Sequence, residues 1–445
     1  MHGCHDVALS NNDGLDLSSW NSLMINGYRI GAAIIPYNAF WSGLVAHINL
    51  DTNFSLVALE PRMPKARPPL NGIPLAQSQI NLIIQWINEG AKNDEGTVAY
   101  NNITHKAFIT NQAADLVAVV NTDNNFLVRL IPVGERRGSG LLAVPHHVTV
   151  DNQGRYFYVC LIAEGYVEKY DAVTYERVGR LYTGSAPAEV FLTEDGSIGY
   201  LTNWDANGID RSVKVINTKD MTLFTTISSI RMNATHGGRV THNNEYFLAL
   251  SQQSEYVTVI KTSDNEIENE FPVAQNVPPN GNGSGQYLPY SIAVSIDDRY
   301  AFISCQRSNE VRVLDIKNGS ITNIIPVGNY PLMLEVSPDG RFCYVPCRND
   351  NSVYVIDTQT MTILKIIEDV GVQPHGVDFT SDSHYAYITC ESNLNGNPYL
   401  HHPLTGSNKP GTTAVIDIWA NHTKIKDIEM ASYPNGISIT PGRGN

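Results

Sequence analysis

The sequence contains no run of 18 or more apolar residues, so no segment of it reads as a membrane-spanning helix. Its N-terminus also lacks the basic-then-apolar layout of a secretory signal. Charge is scarce: Asp, Glu, Lys and Arg make up 17% of the chain, and the formal net charge is −14 with no block of Lys or Arg. A polyanion such as nucleic acid therefore finds no electrostatic footprint here. No GxSxG element, HExxH pair or CxxC pair occurs, so hydrolase chemistry has no visible nucleophile. GNGSG neither follows a strand nor opens a helix, which excludes a phosphate loop. Of six cysteines, Cys160, Cys305, Cys343, Cys347 and Cys390 fall inside predicted strands and read as small buried residues, whereas Cys4 stands beside a histidine.

What the chain does have is Tyr, Val, Ile and Thr in short alternating runs, with 34 Gly and 23 Pro between them. That composition suits strands joined by tight turns. A Pro-x-x-apolar phrase recurs at Pro145, Pro187, Thr235 (with Thr in place of Pro), Pro289, Pro331, Pro374 and Pro434, at spacings of 42, 48, 54, 42, 43 and 60 residues. Each copy starts an alternating strand, followed by a polar turn such as SPDG or TSDS and a second strand. The next strand recurs seven times, as VAVVNT at Val117, VEKYDA at Val167, VKVINT at Val213, VTVIKT at Val257, VRVLDI at Val311, VYVIDT at Val353 and TAVIDI at Thr413. This repeat predicts an all-β propeller of seven four-stranded antiparallel blades over residues 101–445. The first blade begins at HKAFITNQ with no inner strand before it, and PNGISITPG at Pro434 supplies the missing one, closing the ring.

The phrases AFITN, GYLTN, VSPDGR and SVYVIDT resemble the YVTN family of β-propellers over about three-quarters of the chain. That resemblance implies the fold and leaves the activity open, since propellers host unrelated functions.

Residues 1–95 follow a different period. SQINLIIQWINEGA places Ile80, Ile83, Ile84 and Ile87 on one helical face with Gly90 as the stop, FWSGLVAHINL reads as another helix, and PRMPKARPPLNG is a Pro-rich loop. A small, mostly α domain is predicted. Its opening MHGCHD holds Cys4 and His5, the second half of a CxxCH haem-attachment motif, with Met1 where the first cysteine would stand. CHD, GLDLSSW, IIPYNAFWSGLVAHI, RMPKARPPLNG and INLIIQWINEGA together resemble the small c-type cytochrome domain fused to propellers in planctomycete-like and Bacteroidetes-like proteins. The resemblance implies haem c held by Cys4, His5 and, from the Pro-rich loop, Met63, and a natural domain that is incomplete at this N-terminus. It also implies the periplasm or cell surface, where bacteria attach haem c.

At the seven inner-strand starts, the residue after the Pro or Thr is His146, Ala188, His236, Tyr290, Leu332, His375 and Asn435. All seven are predicted to ring one mouth of the central channel. Three readings stand: a transition metal held by His146, His236 and His375; strand caps or water-holding groups in a polar channel; or a substrate or partner contact. The insertion at residues 393–411, with His401 and His402, and the Gly-rich loop at residues 276–287 are placed on the same face. Asp205, Asn207 and Asp210 lack the last glutamate of a calcium loop and read as a solvated turn.

Two functions follow. One is an extracytoplasmic redox protein, in which c-type haem exchanges electrons with a partner and the propeller docks that redox or scaffold protein, or a membrane-associated complex, or holds a second redox or metal site. If it is an enzyme, it is an oxidoreductase. The other is a non-catalytic binding module for a protein or glycan, with a vestigial haem domain. Nucleic acid and a transmembrane segment belong to neither.

Overall fold

A computed structural model describes residues 16–25, 27–28, 31–48, 75–135, 140–184, 186–205, 207–392 and 410–441. Seven four-stranded antiparallel sheets, paired in sequence order, form the blades of a propeller. Blade 1 combines Pro434–Ile439 as its inner strand with Lys106–Asn111, Leu116–Asn121 and Phe126–Pro132. Ala107 faces Ile439, and Ile109 faces Ile437, so the two ends of the propeller lie in one ladder, as the repeat predicts.

Inner strands of blades 2 to 7 start at Pro145, Pro187, Thr235, Pro289, Pro331 and Pro374. Blade 6 departs from the expected strand. There the ladder is reduced to an isolated Pro331–Cys347 bridge, the Leu332 N–H to Pro346 O bond and the short strand Glu335–Val336, since Pro346 of the second strand has no N–H to return; Leu332, Met333 and Leu334 are buried.

The alternation of the second strands has one purpose in packing. Phe108, Tyr158, Tyr200, Leu248, Phe302, Tyr344 and Tyr387 occupy equivalent positions, one per blade, and all are fully buried. A buried aromatic removes about 150–250 Å² from water. Several hydroxyls then bond the following blade: Tyr200 donates to Asn265 Oδ1 at 2.8 Å, Tyr387 donates to Asn125, and Tyr344 pairs with His422. The five strand cysteines are buried and unpaired, and burial pushes their thiols up, that of Cys347 to about 12. They act as core residues.

Before the ring lie three helices, α1 (Trp20–Ile25), α2 (Gly43–Ile48) and α3 (Gln77–Asn88), and a short hairpin pairing Gly27–Tyr28 with Gly31–Ala32. Ile80 and Ile87 of α3 are buried, Ile83 and Ile84 pack at the edge of the cluster that holds Ile87, and Gly90 at φ +105° turns the chain out of the helix. Ala32, Ile35 and Trp41 share a core with Leu127 and Leu130 of blade 1 and Met430 and Ala431 of blade 7. The N-terminal segment therefore packs over the seam where the ring closes. Arg129 fixes it there, donating to Ala99 O and Asn101 Oδ1 at 2.7 and 2.8 Å. Among the described residues no helix is long and apolar enough to cross a membrane.

Candidate functional site

Each inner strand enters the ring through the same backbone device. The residues before the seven starts, Val144, Ala186, Ala234, Leu288, Tyr330, Gln373 and Tyr433, all have positive φ although none is glycine. Six precede proline, where the backbone is already restricted, so the conformation costs on the order of 1–3 kcal/mol at each and has to be held from outside. It is held by a repeated hydrogen bond. The carbonyl of each of these residues accepts the N–H of the residue following its blade's second strand: Ile162 to Val144, Gln252 to Ala234 and Glu391 to Gln373, for example. Asp115 accepts the amides of Ala143 and Val144, and Asn351 Oδ1 accepts that of Gln373, which fixes the approach to His146 and His375.

Immediately after each start the ladder slips by one residue, as between Pro145 and His147 or Pro374 and Val377. Such bulges re-aim side chains. Here they bring rings from blades 2, 4, 5 and 7 together on the axis. His146 Nε2 lies 3.0 Å from His236 Nε2, reaching across the small Ala188 of the blade between them. Tyr290 Oη lies 3.0 Å from His375 Nε2, and the Tyr290 ring stacks on His236 with centroids 3.8 Å apart. The rings of His146 and His375 are 6.3 Å apart. His146, His236, Tyr290 and His375 are 7%, 1%, 6% and 3% exposed, so the histidines expected to ring an open mouth instead fill the channel as a buried plug.

Burial drives these imidazoles toward the neutral form: His146 titrates down to about 4, His147 down to about 3, and His236 and His375 well below the ordinary value, helped by neighbouring histidines. Neutral imidazole is the ligand form. Two carboxyls stand beside the rings. Glu189 Oε1 lies 3.3 Å from His236 Nδ1 without an aligned hydrogen bond, and Glu189 Oε2 lies 3.6 Å from His147 Nε2. Burial pushes Glu189 up to about 8, against the pull of Arg239. Glu391, raised by burial and lowered by Arg348, lies 3.8 Å from His375 Nε2 and pairs with Arg348 at 2.7 Å. Deeper in the channel Arg239 of blade 4 pairs with Glu335 of blade 6, and burial raises Asp378 to about 6.

Tautomers decide what the His146–His236 contact can do. Gln112 Nε2 sits 2.6 Å from His146 Nδ1. With the amide donating, His146 carries its proton on Nε2 and donates it to His236 Nε2, while His236 Nδ1 donates to the Tyr290 carbonyl at 3.2 Å. With the Gln112 amide turned over, its oxygen accepts from His146 Nδ1–H, and two Nε2 lone pairs face each other. A cation between them stabilises that second arrangement, as does the His236 tautomer with its proton on Nε2 and Nδ1 facing the protonated Glu189 carboxyl at 3.3 Å. Ligands at ~2.0–2.1 Å in a tetrahedral centre are about 3.3–3.4 Å apart, close to the spacing already present. His375 Nδ1, buried without a hydrogen-bond partner, is a further unmet polar atom in the cluster. Among the described residues no three His, Cys, Asp or Glu side chains are grouped closely enough to share one ion. The trio is arranged as a histidine pair plus a third histidine bonded to tyrosine.

Sequence reasoning passed over the residues above this plug. Trp204 Nε1 donates to Gln252 Oε1, and Gln252 Nε2 donates to Gln306 Oε1, both at 2.9 Å, and Asn435 Nδ2 donates to Glu391 Oε1 at 3.2 Å. Their signal was a residue recurring one place after each second strand: Gln112, Ile162, Trp204, Gln252, Gln306, Arg348 and Glu391. The Gly-rich loop at residues 276–287 lies on this face and is pinned, with Glu255 accepting from Ser284 N, Ser284 Oγ and Tyr287 N at 2.6–2.8 Å. Asp205 accepts the amides of Asn207, Ile209 and Asp210, the geometry of a self-capped turn. Cys4, His5 and Met63, and His401 and His402 with most of the 393–411 insertion, lie outside the described residues.

The buried charges set a pH profile for the metal-free protein. Each histidine is neutral when folded and protonates near 6.5 when unfolded, so the unfolded chain binds more protons and stability falls as pH drops below about 6.5. Glu189 has the opposite sign: folded, it keeps its proton up to about 8, so stability falls as pH rises from 4.5 to 8. Between about 4.5 and 6.5 four buried histidines outweigh Glu189, Asp378 and Glu391, and above 6.5 Glu189 acts without that opposition. Stability is expected to peak near pH 6.5, with slopes of about 1.4 kcal/mol per pH unit for each uncompensated proton. Denaturant titrations across this range test it. Glu189→Gln should flatten the alkaline limb, and an unchanged limb contradicts the assignment.

Fold and axis define a seven-bladed propeller whose channel is closed by a histidine–tyrosine cluster. The chain belongs to the choice-of-anchor I domain family, whose family model matches residues 98–335. In structure it is similar to hydrazine synthase of Kuenenia stuttgartiensis, at TM-score 0.53 and 14% identity, over 70% of this chain and 100% of that one. It is similar also to a functionally unknown protein from Desulfotomaculum acetoxidans, at TM-score 0.57 and 14% identity, covering 76% and 99%. A third likeness is to dihydro-heme d1 dehydrogenase NirN in complex with DHE, at TM-score 0.51 and 12% identity, covering 84% and 88%. At these identities the likeness is one of fold. No curated protein matches the chain by sequence.

Proposed function

We propose that this chain is an extracytoplasmic redox protein whose propeller holds a transition metal on its axis between His146 and His236, with His375 joining as third ligand only by leaving its bond to Tyr290, and whose N-terminal domain carries haem c on Cys4, His5 and Met63. The observation that carries the metal half is the 3.0 Å contact between two buried Nε2 atoms of neutral imidazoles, needing only a turn of the Gln112 amide to present both lone pairs. Gln112 and Glu189 would orient His146 and His236 from behind, as outer partners orient metal-bound imidazoles. A bound transition ion would supply one-electron chemistry or Lewis acidity, and the protein keeps bulk water from the rings. For the haem half the support is the resemblance of residues 1–95. The family's name, an anchor domain, and haem c attachment both fit a place outside the cytoplasm, where a redox or scaffold protein, or a membrane-associated complex, is the partner.

A reduced-minus-oxidised spectrum of the full-length natural protein tests the haem half, and the absence of a c-type α band removes it. Metal analysis of the purified protein tests the other half. One observation favours a second reading, a non-catalytic binding module: the His146–His236 and Tyr290–His375 contacts satisfy each other as hydrogen bonds, as a purely structural plug requires. Absence of both metal and haem selects it.

A further inference from the structure

Tyr290 and His375 make a contact on the axis that needs no ion. Tyr290 Oη lies 3.0 Å from His375 Nε2, and among the described residues that nitrogen is the hydroxyl's hydrogen-bond partner, so the phenol donates and the imidazole accepts. One face of the tyrosine is covered by His236, stacked on it at 3.8 Å, and Trp204 meets His236 edge-on at 6.0 Å. Trp204 is half-buried above the plug, whereas Tyr290 is 6% exposed. A line of rings therefore runs from the upper face to a buried phenol that already holds a proton acceptor. We propose that Tyr290 is a redox-active tyrosine, oxidised by one electron through Trp204 while its proton passes to His375. The proposal goes beyond the reading given above and needs no axial metal; it shares with that reading only a redox partner.

The step balances. One electron leaves the phenol for a high-potential one-electron oxidant such as a peroxide-oxidised haem protein, the O–H bond breaks, an Nε2–H bond forms, and a neutral tyrosyl radical faces an imidazolium. Return of the electron from a reductant sends the proton back. A separation of 3.0 Å is within reach of such a transfer. Without an acceptor, oxidation would leave positive charge on a buried phenol, and an unpaired buried charge is costly. Transfer moves that charge to His375, where the Glu391 carboxyl, itself paired with Arg348, lies 3.8 Å from Nε2.

Packing does not account for the phenol, since the adjacent blade fills the equivalent position with Leu332. Tyr344 supplies a contrast within the same fold. It too is fully buried and faces a histidine, His422 Nδ1 at 2.5 Å, but its ring contacts are Phe379 and His422. Among the described residues, Tyr290 is the buried tyrosine that combines a histidine acceptor with a route of rings to a tryptophan.

The test uses the full chain, oxidised by photogenerated ruthenium(III) tris-bipyridine with a cobalt(III) amine as sacrificial electron acceptor, and frozen after a delay. Electron paramagnetic resonance of the wild-type protein should show a tyrosyl radical that outlives those of exposed tyrosines and couples to isotopically labelled histidine nitrogen. Tyr290→Phe should lose this signal, and folded Tyr344→Phe should keep it. A wild-type protein without a long-lived tyrosyl radical, or with one that lacks the histidine coupling, overturns the proposal. So does a signal that persists in Tyr290→Phe or disappears from folded Tyr344→Phe. Should Tyr290→Phe not fold, the wild-type coupling and its survival in Tyr344→Phe decide. These outcomes leave the haem band and the metal content untouched, so the reading given above stands or falls separately.

Discussion

Deleting residues 434–445 is expected to abolish cooperative folding of the propeller. The lost strand supplies Ile437 and Ile439 to the core shared by blades 1 and 7, and each buried isoleucine is worth roughly 2–5 kcal/mol on truncation. It also takes away the ladder to Lys106–Asn111 and the bonds between Lys106 N and Thr440 Oγ1 and between Thr440 N and Lys106 O, at 2.9 and 2.8 Å. Thr110 and Thr389 would lose their acceptors at Gly436 and Asn435. These losses together reach the roughly 5–15 kcal/mol of a whole native domain. Blade 1 would then present Lys106–Asn111 as an unpaired edge, which invites association. Thermal unfolding followed by circular dichroism, with size-exclusion chromatography, should show no single cooperative transition and a shift to aggregates. A deletion protein that unfolds cooperatively as a monomer contradicts the closure.

A second large effect is expected from one glycine below the plug. Gly376 follows His375, and a Cβ there would lie 2.5 Å from the backbone oxygen of Asn435 and 2.9 Å from Thr389 Oγ1. Thr389 Oγ1 already bonds both, accepting from Gly376 N at 2.8 Å and donating to Asn435 O at 2.5 Å. A β-branched side chain cannot be admitted without separating blade 7 from blade 1. Gly376→Val is therefore expected to destabilise by about 3 kcal/mol or more, the upper end of overpacking costs, and Gly376→Ala by less. Denaturant midpoints of the two variants check this, and a wild-type midpoint for the valine variant would show that the seam can give way. Gly237 and Gly436 make the same close approach to Tyr290 and His146, so backbone contacts link the ring residues of neighbouring blades.

The blades were legible because their signal is local. Alternation, a polar turn and a Pro or Thr at the strand start each lie within a few residues of the features they specify, and a period near 42 residues repeats them. The helix Gln77–Asn88 was legible for the same reason, through the spacing of its isoleucines. Listing the residue after each start also placed His146, His236 and His375 at one level. What those residues do to one another was not legible. His146 meets His236 because Ala188 leaves room between them and because a bulge turns the side chain onto the axis, and neither follows from strand period. Tyr290 sits at a matching position, yet its bonds to two histidines depend on the order of blades around the ring. Glu189 lies one residue beyond a ring position, and strand period alone does not mark it as buried, which it is.

The reading of the axis as a metal centre is tested most directly by metal stoichiometry in a double variant. Wild-type protein, freed of metal and then dialysed against a limiting transition ion, is expected to retain one equivalent outside the haem. His236→Ala combined with His375→Ala should retain none, with the propeller still folded by circular dichroism. Stoichiometric binding that survives both substitutions would contradict the account.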